Sequence, residues 1–325
     1  MAKDLKLRNE IRTNETRSTC YKYFQLARPV ETTMSEFWLL CTGSLCPINR
    51  FMEDVKKINT EMPLEKRFTF GKNWSKFVDS HFNPERLDGS INVFKQFTSM
   101  RALKGKTFID VGCGSGLHSL AAHQMGANEI VSFDFDPKAV DATTKLKTIA
   151  GSPSNWTIKQ GSVLDLDFVS SLGKFNFVYS WGVLHHTGSV WKAIENTTRL
   201  VDSKGHMYLA LYSLDVQPNA DYWLATKERY VQSSYFGKVL MEQSYLFKYY
   251  YGGSIARRFM GFFKQETGRT RGMELMTDVR DWLGGWPMEF VLDAEAVKFV
   301  ENLGFKLSNI KKGEACTEFL FQRTN

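Results

Sequence analysis

Residues 107–117 read Thr-Phe-Ile-Asp-Val-Gly-Cys-Gly-Ser-Gly-Leu, and His118-Ser119-Leu120-Ala121-Ala122 follow directly. A short apolar run breaks into glycines at 112, 114 and 116 and then into a helical pattern, which predicts a strand, a tight turn and a helix. Glycine allows the left-handed backbone such a turn needs and lets a ligand approach the main chain closely. The helix start behind it presents unpaired N–H groups and a positive dipole end, which suit an anionic group. The spacing is G-x-G-x-G, with the third glycine one residue earlier than in the G-x-G-x-x-G dinucleotide fingerprint and Leu at 117. Twenty-two residues after Gly112, the stretch Val131-Ser132-Phe133-Asp134-Phe135-Asp136-Pro137 places Asp134 at the end of the next apolar run. A carboxylate there can accept both hydroxyl protons of a ribose. The turn and the acid together point to a nucleotide-like cofactor; the simpler role for Asp134, capping a turn as Asp136 does, competes with that reading.

Working outward, apolar runs alternate with amphipathic stretches from Lys104, which reads as a parallel sheet covered on both faces. The strands are expected at Thr107 to Val111, Glu129 to Phe133, Trp156 to Gln160, Phe175 to Ser180 and Met207 to Tyr212. Gly126 closes the first helix, and Asp136-Pro137 opens the second with a capping acid and a proline at the first helical position. The fold class is therefore α/β. Residues 1–103 are expected to form an N-terminal helical extension with aromatics such as Phe37, Trp38, Phe51, Phe70, Trp74 and Phe77. Residues 104–212 form the cofactor-binding core. Residues 213–290, too long for a connecting loop, form a helical insertion, and 291–325 finish the core with a helix over Asp293 to Leu303 and strands at Lys306 to Ile310 and Cys316 to Phe321.

A chain of 325 residues with 43% hydrophobic and 24% charged residues has the composition of a globular protein and excludes a disordered, collagen-like or coiled-coil chain. The net charge of +7 is too modest for a nucleic-acid tail. The five cysteines are scattered without paired ligand spacing, so neither a disulfide framework nor a metal site is expected. The acids among the first residues, Asp4 and Glu10, argue against a transit peptide, and no run reaches the length needed to span a bilayer. These features fit the cytoplasm.

Phe108 to Leu117, Val131 to Pro137, Gln160 to Asp165 and Tyr179 to Thr187 resemble the successive motifs of class I S-adenosylmethionine-dependent methyltransferases, most of all the ubiquinone-methylase-like branch. The resemblance covers residues 104–212 well and the final strands loosely. It implies a Rossmann-like, seven-stranded, mostly parallel sheet with an antiparallel last strand, and S-adenosylmethionine as cofactor. By the resemblance, Asp110 and the backbone of Gly112, Cys113, Gly114 and Gly116 hold the methionine end, Asp134 binds the ribose, and Ser162 with Val163 borders the adenine. Many relatives carry an acid where Ser162 stands, and Asp165 is the substitute for that contact.

The residues after the fourth strand, Ser180-Trp181-Gly182-Val183-Leu184-His185-His186-Thr187, face the reactive methyl, because ligands of open α/β sheets lie beyond the strands' carboxyl ends. A hydroxyl acceptor needs a proton taken from it, and histidine suits that task near neutrality. His186 and His185 are the candidates, His186 first; the alternative is that one bonds the loop and the other packs on the sheet. Trp181 can wall the methyl pocket. His118 and His123 are assigned to packing or solvent, with His118 near enough to the glycine turn to keep as an outside candidate, and Cys113 is assigned to fitting the turn.

Between 225 and 272 nine Lys and Arg face three Glu, so this segment holds most of the excess charge. Following the fifth strand, it is expected to cover the site as a lid that excludes water, or else to be a solvated helix face over its own aromatic core. The tract Asp278 to Glu289, dense in Gly, Trp and paired charges, reads as a functional loop, with Arg280, Asp281 and Trp282 near the acceptor or in a structural charge network. Phe70-Gly71-Lys72-Asn73-Trp74 resembles the segment that relatives fold over the cofactor. The expected activity is methyl transfer to a hydroxyl of a small molecule, a quinol-like ring or a sugar. The rivals are an NAD-dependent oxidoreductase and a non-catalytic S-adenosylmethionine-binding protein. The absence of a Pro-Pro pair after the fourth strand disfavours DNA as a partner.

Overall fold

A computed structural model describes residues 67–217, 219–250, 275–313 and 315–324. Two helices, α1 (Phe70–Ser80) and α2 (Pro84–Thr98), precede the sheet. The core then alternates β1 (Thr107–Val111), α3 (Leu117–Gln124), β2 (Glu129–Asp134), α4 (Pro137–Ile149), β3 (Trp156–Gln160), α5 (Leu166–Ser171), β4 (Phe175–Trp181), α6 (Val190–Arg199) and β5 (Val201–Tyr212). The insertion contributes α7 (Ala220–Gln232), α8 (Tyr235–Tyr245), a π-helical turn at Leu246–Tyr250 and α9 (Leu275–Gly284). The chain closes with α10 (Asp293–Asn302), β6 (Phe305–Lys312) and β7 (Cys316–Arg323). Phe37, Trp38, Phe51 and the insertion's segment 251–274 lie outside the described residues.

The sheet order is β3-β2-β1-β4-β5-β7-β6. The first five strands pair in parallel and β7 runs antiparallel between β5 and β6. Alternation along β1 sends Ile109 and Val111 into a core with Phe133, Val178 and Leu209 on one face, and Phe108 into a second with Phe94, Ile130 and Phe177 on the other. Both faces are thus dry, which is what a parallel sheet requires. The order reverses at β1 and β4, so the crevice at their carboxyl ends is the switch point where a ligand belongs.

Several strands run one or more residues longer than expected, and two further differences have a clear cause. β5 begins at Val201 rather than Met207, because Asp202 to Gly205 bulge between the paired residues Val201 and His206. These polar turn residues, with Lys204 at φ 56°, look like a loop in sequence although the strand resumes beyond them. The tract read as a loop from Asp278 is helical to Gly284. Its Leu275, Met276, Val279, Trp282 and Leu283 recur at helical spacing and pack on the insertion's core.

Candidate functional site

The glycine turn is built as its composition demands. Gly112, Gly114 and Gly116 have φ of 76°, 55° and 80°, the left-handed region that L side chains rarely adopt. The N–H groups of Gly112 and Cys113 both donate to Phe133 O, at 2.9 and 3.0 Å, which stitches the turn to β2. A Cβ at Gly116 would lie 2.8 Å from Thr143 Cγ2, so α4 needs glycine there. The Cys113 thiol sits 3.2 Å from Thr143 Oγ1, and burial pushes it well up, so it stays protonated and fits the turn as a small residue.

Asp110 and Asp134 flank the turn. Asp110 is buried, and a hydrogen-bond chain ends on it. Trp156 Nε1–H donates to Ser132 Oγ at 2.7 Å, Ser132 and Ser119 hydroxyls lie 2.7 Å apart, and Ser119 Oγ donates to Asp110 Oδ2 at 2.6 Å. With Trp156 and Asp110 fixing the two ends, the Ser132 hydroxyl donates to Ser119. Burial outweighs the Ser119 bond, and with Asp134 nearby it pushes the Asp110 acid up to about 7. Asp134 accepts from Gly114 N–H at 3.0 Å and from Asp136 N–H at 2.9 Å. Burial still pushes it up to about 6. Two desolvated acids beside the N-terminus of α3 fit a ligand that carries an ammonium and a carboxylate at one end and hydroxyls at the other.

The segment before the core covers this turn. Gly71 N–H donates to Asp136 Oδ2 at 2.9 Å, and a Cβ at Gly71 would be 2.5 Å from Lys138 Cβ, so only glycine lets α1 approach α4 this closely. Trp74 then lies over the turn, its Cε2 3.0 Å from where a Gly114 Cβ would stand.

Further along the same sheet edge, Ser162 Oγ accepts from Leu164 N–H at 3.0 Å and Val163 is buried beneath. Asp165 caps α5 by accepting from Asp167 and Phe168 N–H, so its Oδ1 is already engaged. Ser180 is fully buried and donates from Oγ to Val111 O at 3.0 Å, a strut between β4 and β1. Trp181 is half-buried where two cores meet. His118 stacks on Tyr179 with ring centroids 4.6 Å apart, a packing role.

His185 and His186 form a single 3₁₀ turn, Leu184–His186. His185 is fully buried, stacks on Tyr212 at 3.9 Å, and accepts the Tyr212 N–H on Nδ1 at 3.1 Å. That bond fixes its proton on Nε2, a buried atom with no partner. Burial, with His186 and Lys227 nearby, holds its basicity well below the usual range. His186 Nδ1 lies 2.8 Å from Pro287 O. Burial and the Lys227 cation pull it down to about 3 despite the Pro287 carbonyl. Arg280 pairs with the buried Glu242 at 3.2 Å, and Glu242 also accepts from Tyr230 Oη at 2.7 Å, so Arg280 joins a structural charge network. Asp281 accepts from Asn73 Nδ2 at 2.8 Å, tying the insertion to α1. The Trp282 ring meets Tyr212 at 5.4 Å and Trp223 at 4.8 Å.

The site thus gathers the turn, both acids, both histidines and Trp282 along one edge. Lys227 and Tyr212 escaped sequence reasoning. Lys227 looked like one more basic residue of the insert, yet it stands at i+4 from Trp223 and i−3 from Tyr230, on the buried face of α7.

Residues 102–252 match a family model described as a methyltransferase domain. Among curated proteins, the chain is 28% identical over 138 residues to the ribosomal protein L11 methyltransferase of Bacillus pumilus, covering 38% of this chain and 44% of that protein. It is 49% identical over 41 residues to the same-named protein of Tolumonas auensis, 13% of this chain and 14% of that one. The chain thus spans less than half the length of these relatives. Among solved structures, magnesium protoporphyrin IX methyltransferase from Synechocystis, crystallised with bound SAH, aligns at 14% identity and TM-score 0.42 over 85% of this chain and 95% of that one. A putative S-adenosylmethionine-dependent methyltransferase from Listeria monocytogenes aligns at 12% identity and TM-score 0.46 over 73% and 99%.

Proposed function

We propose that the region matching a methyltransferase domain is a class I S-adenosylmethionine-dependent methyltransferase, and that it methylates a hydroxyl of a small molecule held between the sheet edge and the helical insertion. The observation that carries this reading is the enclosed polar cluster of His185, His186, Tyr212 and Trp282 beyond β4 and β5, which α7 and α9 roof over.

When bound, S-adenosylmethionine supplies a methyl group already activated on a sulfonium. The chain's own residues therefore bind, align and exclude water. In this reading the N–H groups in the first turn of α3 would take the methionine carboxylate, and Asp110 would take its ammonium. Asp134 exchanges its backbone partners for ribose hydroxyls, Ser162 and Val163 border the adenine, and Trp74 closes over the turn. Ser180 and Trp181 shape the methyl end, Ser180 by pinning β4 to β1.

The two histidines then act by placement. His186 anchors the Gly285–Met288 loop through Pro287, and its suppressed basicity leaves it neutral throughout the physiological range. His185 offers a donor rather than a lone pair on Nε2. Asp281, held by Asn73, links closure of α1 over the cofactor to the roof of the acceptor space. A quinol-like ring suits the aromatic walls better than a sugar does.

The relatives named for ribosomal protein L11 raise a second reading, a protein acceptor. The burial of the polar cluster favours a molecule that enters whole. Incubation with S-adenosylmethionine labelled on the methyl, followed by separation of a cell extract into protein and metabolite fractions, tests the choice. Label is expected in a metabolite one methylene heavier. Label confined to protein would replace the small-molecule reading.

A further inference from the structure

Lys227 is fully buried on the inner face of α7. Its Nζ donates to the Trp282 backbone carbonyl and stands 4.4 Å from the Trp282 ring centroid and 5.5 Å from that of Tyr212. Among the described residues no carboxylate forms an ion pair with it. An amine needs a strong reason to occupy a helix face where leucine would pack. Around the same Tyr212 ring, His185 Nε2 and Trp282 Nε1 are both buried and both without a hydrogen-bond partner. Three N–H-bearing groups from three elements thus lie around the Tyr212 ring, with two donors unused. A structural core would not leave this unmatched, whereas an oxygen placed there would complete it.

We propose that Lys227, with the His185 Nε2 and Trp282 Nε1 donors, forms the acceptor-oxygen site, takes an acidic hydroxyl of the phenol or enol class, and receives its proton, so that the oxygen is methylated as its anion. This rests on the methyltransferase reading and adds the residue that moves the proton and the class of molecule accepted. The O–H bond breaks as an N–H bond forms on neutral Lys227. The oxygen's pair then forms the bond to the methyl carbon, and the carbon–sulfur pair remains on sulfur as a thioether. The ammonium of Lys227 stays beside the oxyanion until attack.

The charged neighbours of Lys227 are arranged for this. Burial lowers it to about 7, while Asp281 from α9 and Cys316 from β7 oppose that shift. His185 and His186, beyond β4, are held neutral. The Glu242–Arg280 pair between α8 and α9 is internally balanced. Lys227 is therefore divided between amine and ammonium near neutrality, which is what a proton carrier requires. An alkyl hydroxyl is far too weak an acid to yield its proton to such an amine.

The probe is 4-nitrophenol, whose phenolate absorbs visibly, titrated into the full protein saturated with S-adenosylhomocysteine. It is expected to bind with its ionisation displaced downward by about one pH unit or more, as for a group beside an opposite charge. Affinity is expected to peak near neutrality and fall on either side, because complexation needs one proton shared between phenol and lysine. Lys227→Met is expected to bind S-adenosylhomocysteine as the wild type does, yet to remove the displacement and weaken the phenol about ten-fold or more. Neutral binding, no binding, or an unchanged displacement in Lys227→Met overturns the proposal. If that variant does not fold, the wild-type profile decides alone, and a flat or one-sided profile overturns it. Failure of the wild type to bind S-adenosylhomocysteine instead removes the methyltransferase reading.

Discussion

Asp110→Asn should make the cofactor-free protein more stable while weakening its hold on the cofactor. Asp110 is 3% exposed and its acid is raised from the ordinary 3.8 to about 7, mainly by burial. For an acid raised on folding, the native state holds the extra proton between those two values. Stability therefore falls as pH rises through that window and the whole cost is present above it. Ionising this group in the folded protein then costs roughly 4 kcal/mol at about pH 8. Asparagine removes the titration and still accepts the Ser119 hydroxyl, so the hydrogen-bond chain from Trp156 survives. Its amide N–H groups, lacking partners, take back about 1–3 kcal/mol at every pH. The assay is thermal or denaturant unfolding of variant and wild type from about pH 4 to about pH 8, read as a difference so that other groups cancel. That difference should move in favour of the variant by about 2–4 kcal/mol across the range, while S-adenosylhomocysteine affinity drops about ten-fold or more at about pH 8. A difference that does not change with pH would refute the claim that burial raises the Asp110 acid far above its ordinary value.

The same electrostatics predict the cofactor's own pH dependence. With Asp110 near 7 and Asp134 near 6, S-adenosylhomocysteine affinity should fall progressively below about pH 7 as both acids take up protons. Calorimetry in buffers of differing ionisation enthalpy should then show proton release on binding near neutrality. Trp74→Ala should leave the melting temperature within about 2 °C but speed cofactor release about ten-fold, measured by stopped-flow fluorescence. Gly116→Ala, which combines a φ of 80° with a 2.8 Å approach to Thr143, should lose about 2 kcal/mol in denaturant unfolding and should not be rescued by ligand.

The glycine turn and its flanking acids were legible because their signal is local in sequence. The turn from Gly112 to Gly116 and Asp134 at the end of β2 are each fixed by a few adjacent residues, and β1 and β3 fall at the expected bounds. The cluster around Tyr212 was not, because it is assembled from β4, β5, α7 and α9, whose contacts join residues about a hundred positions apart, such as His186 and Pro287. The histidines attracted attention as natural bases, but sequence carries no burial, and burial holds the basicity of both below the usual range. Lys227 showed the opposite error, since a lysine in a basic segment reads as solvent-facing until its spacing from Trp223 and Tyr230 is noticed. The helix at Leu275–Gly284 was obscured by its glycines and tryptophans, although its apolar spacing was helical throughout.

Structure determination of the protein with S-adenosylhomocysteine bound bears most directly on all of this. The ribose hydroxyls should lie within hydrogen-bond distance of Asp134, with the methionine carboxylate at the N–H groups of the first turn of α3 and the sulfur facing the Tyr212 cluster. A nucleoside seated away from the carboxyl ends of β1 and β2 would contradict it.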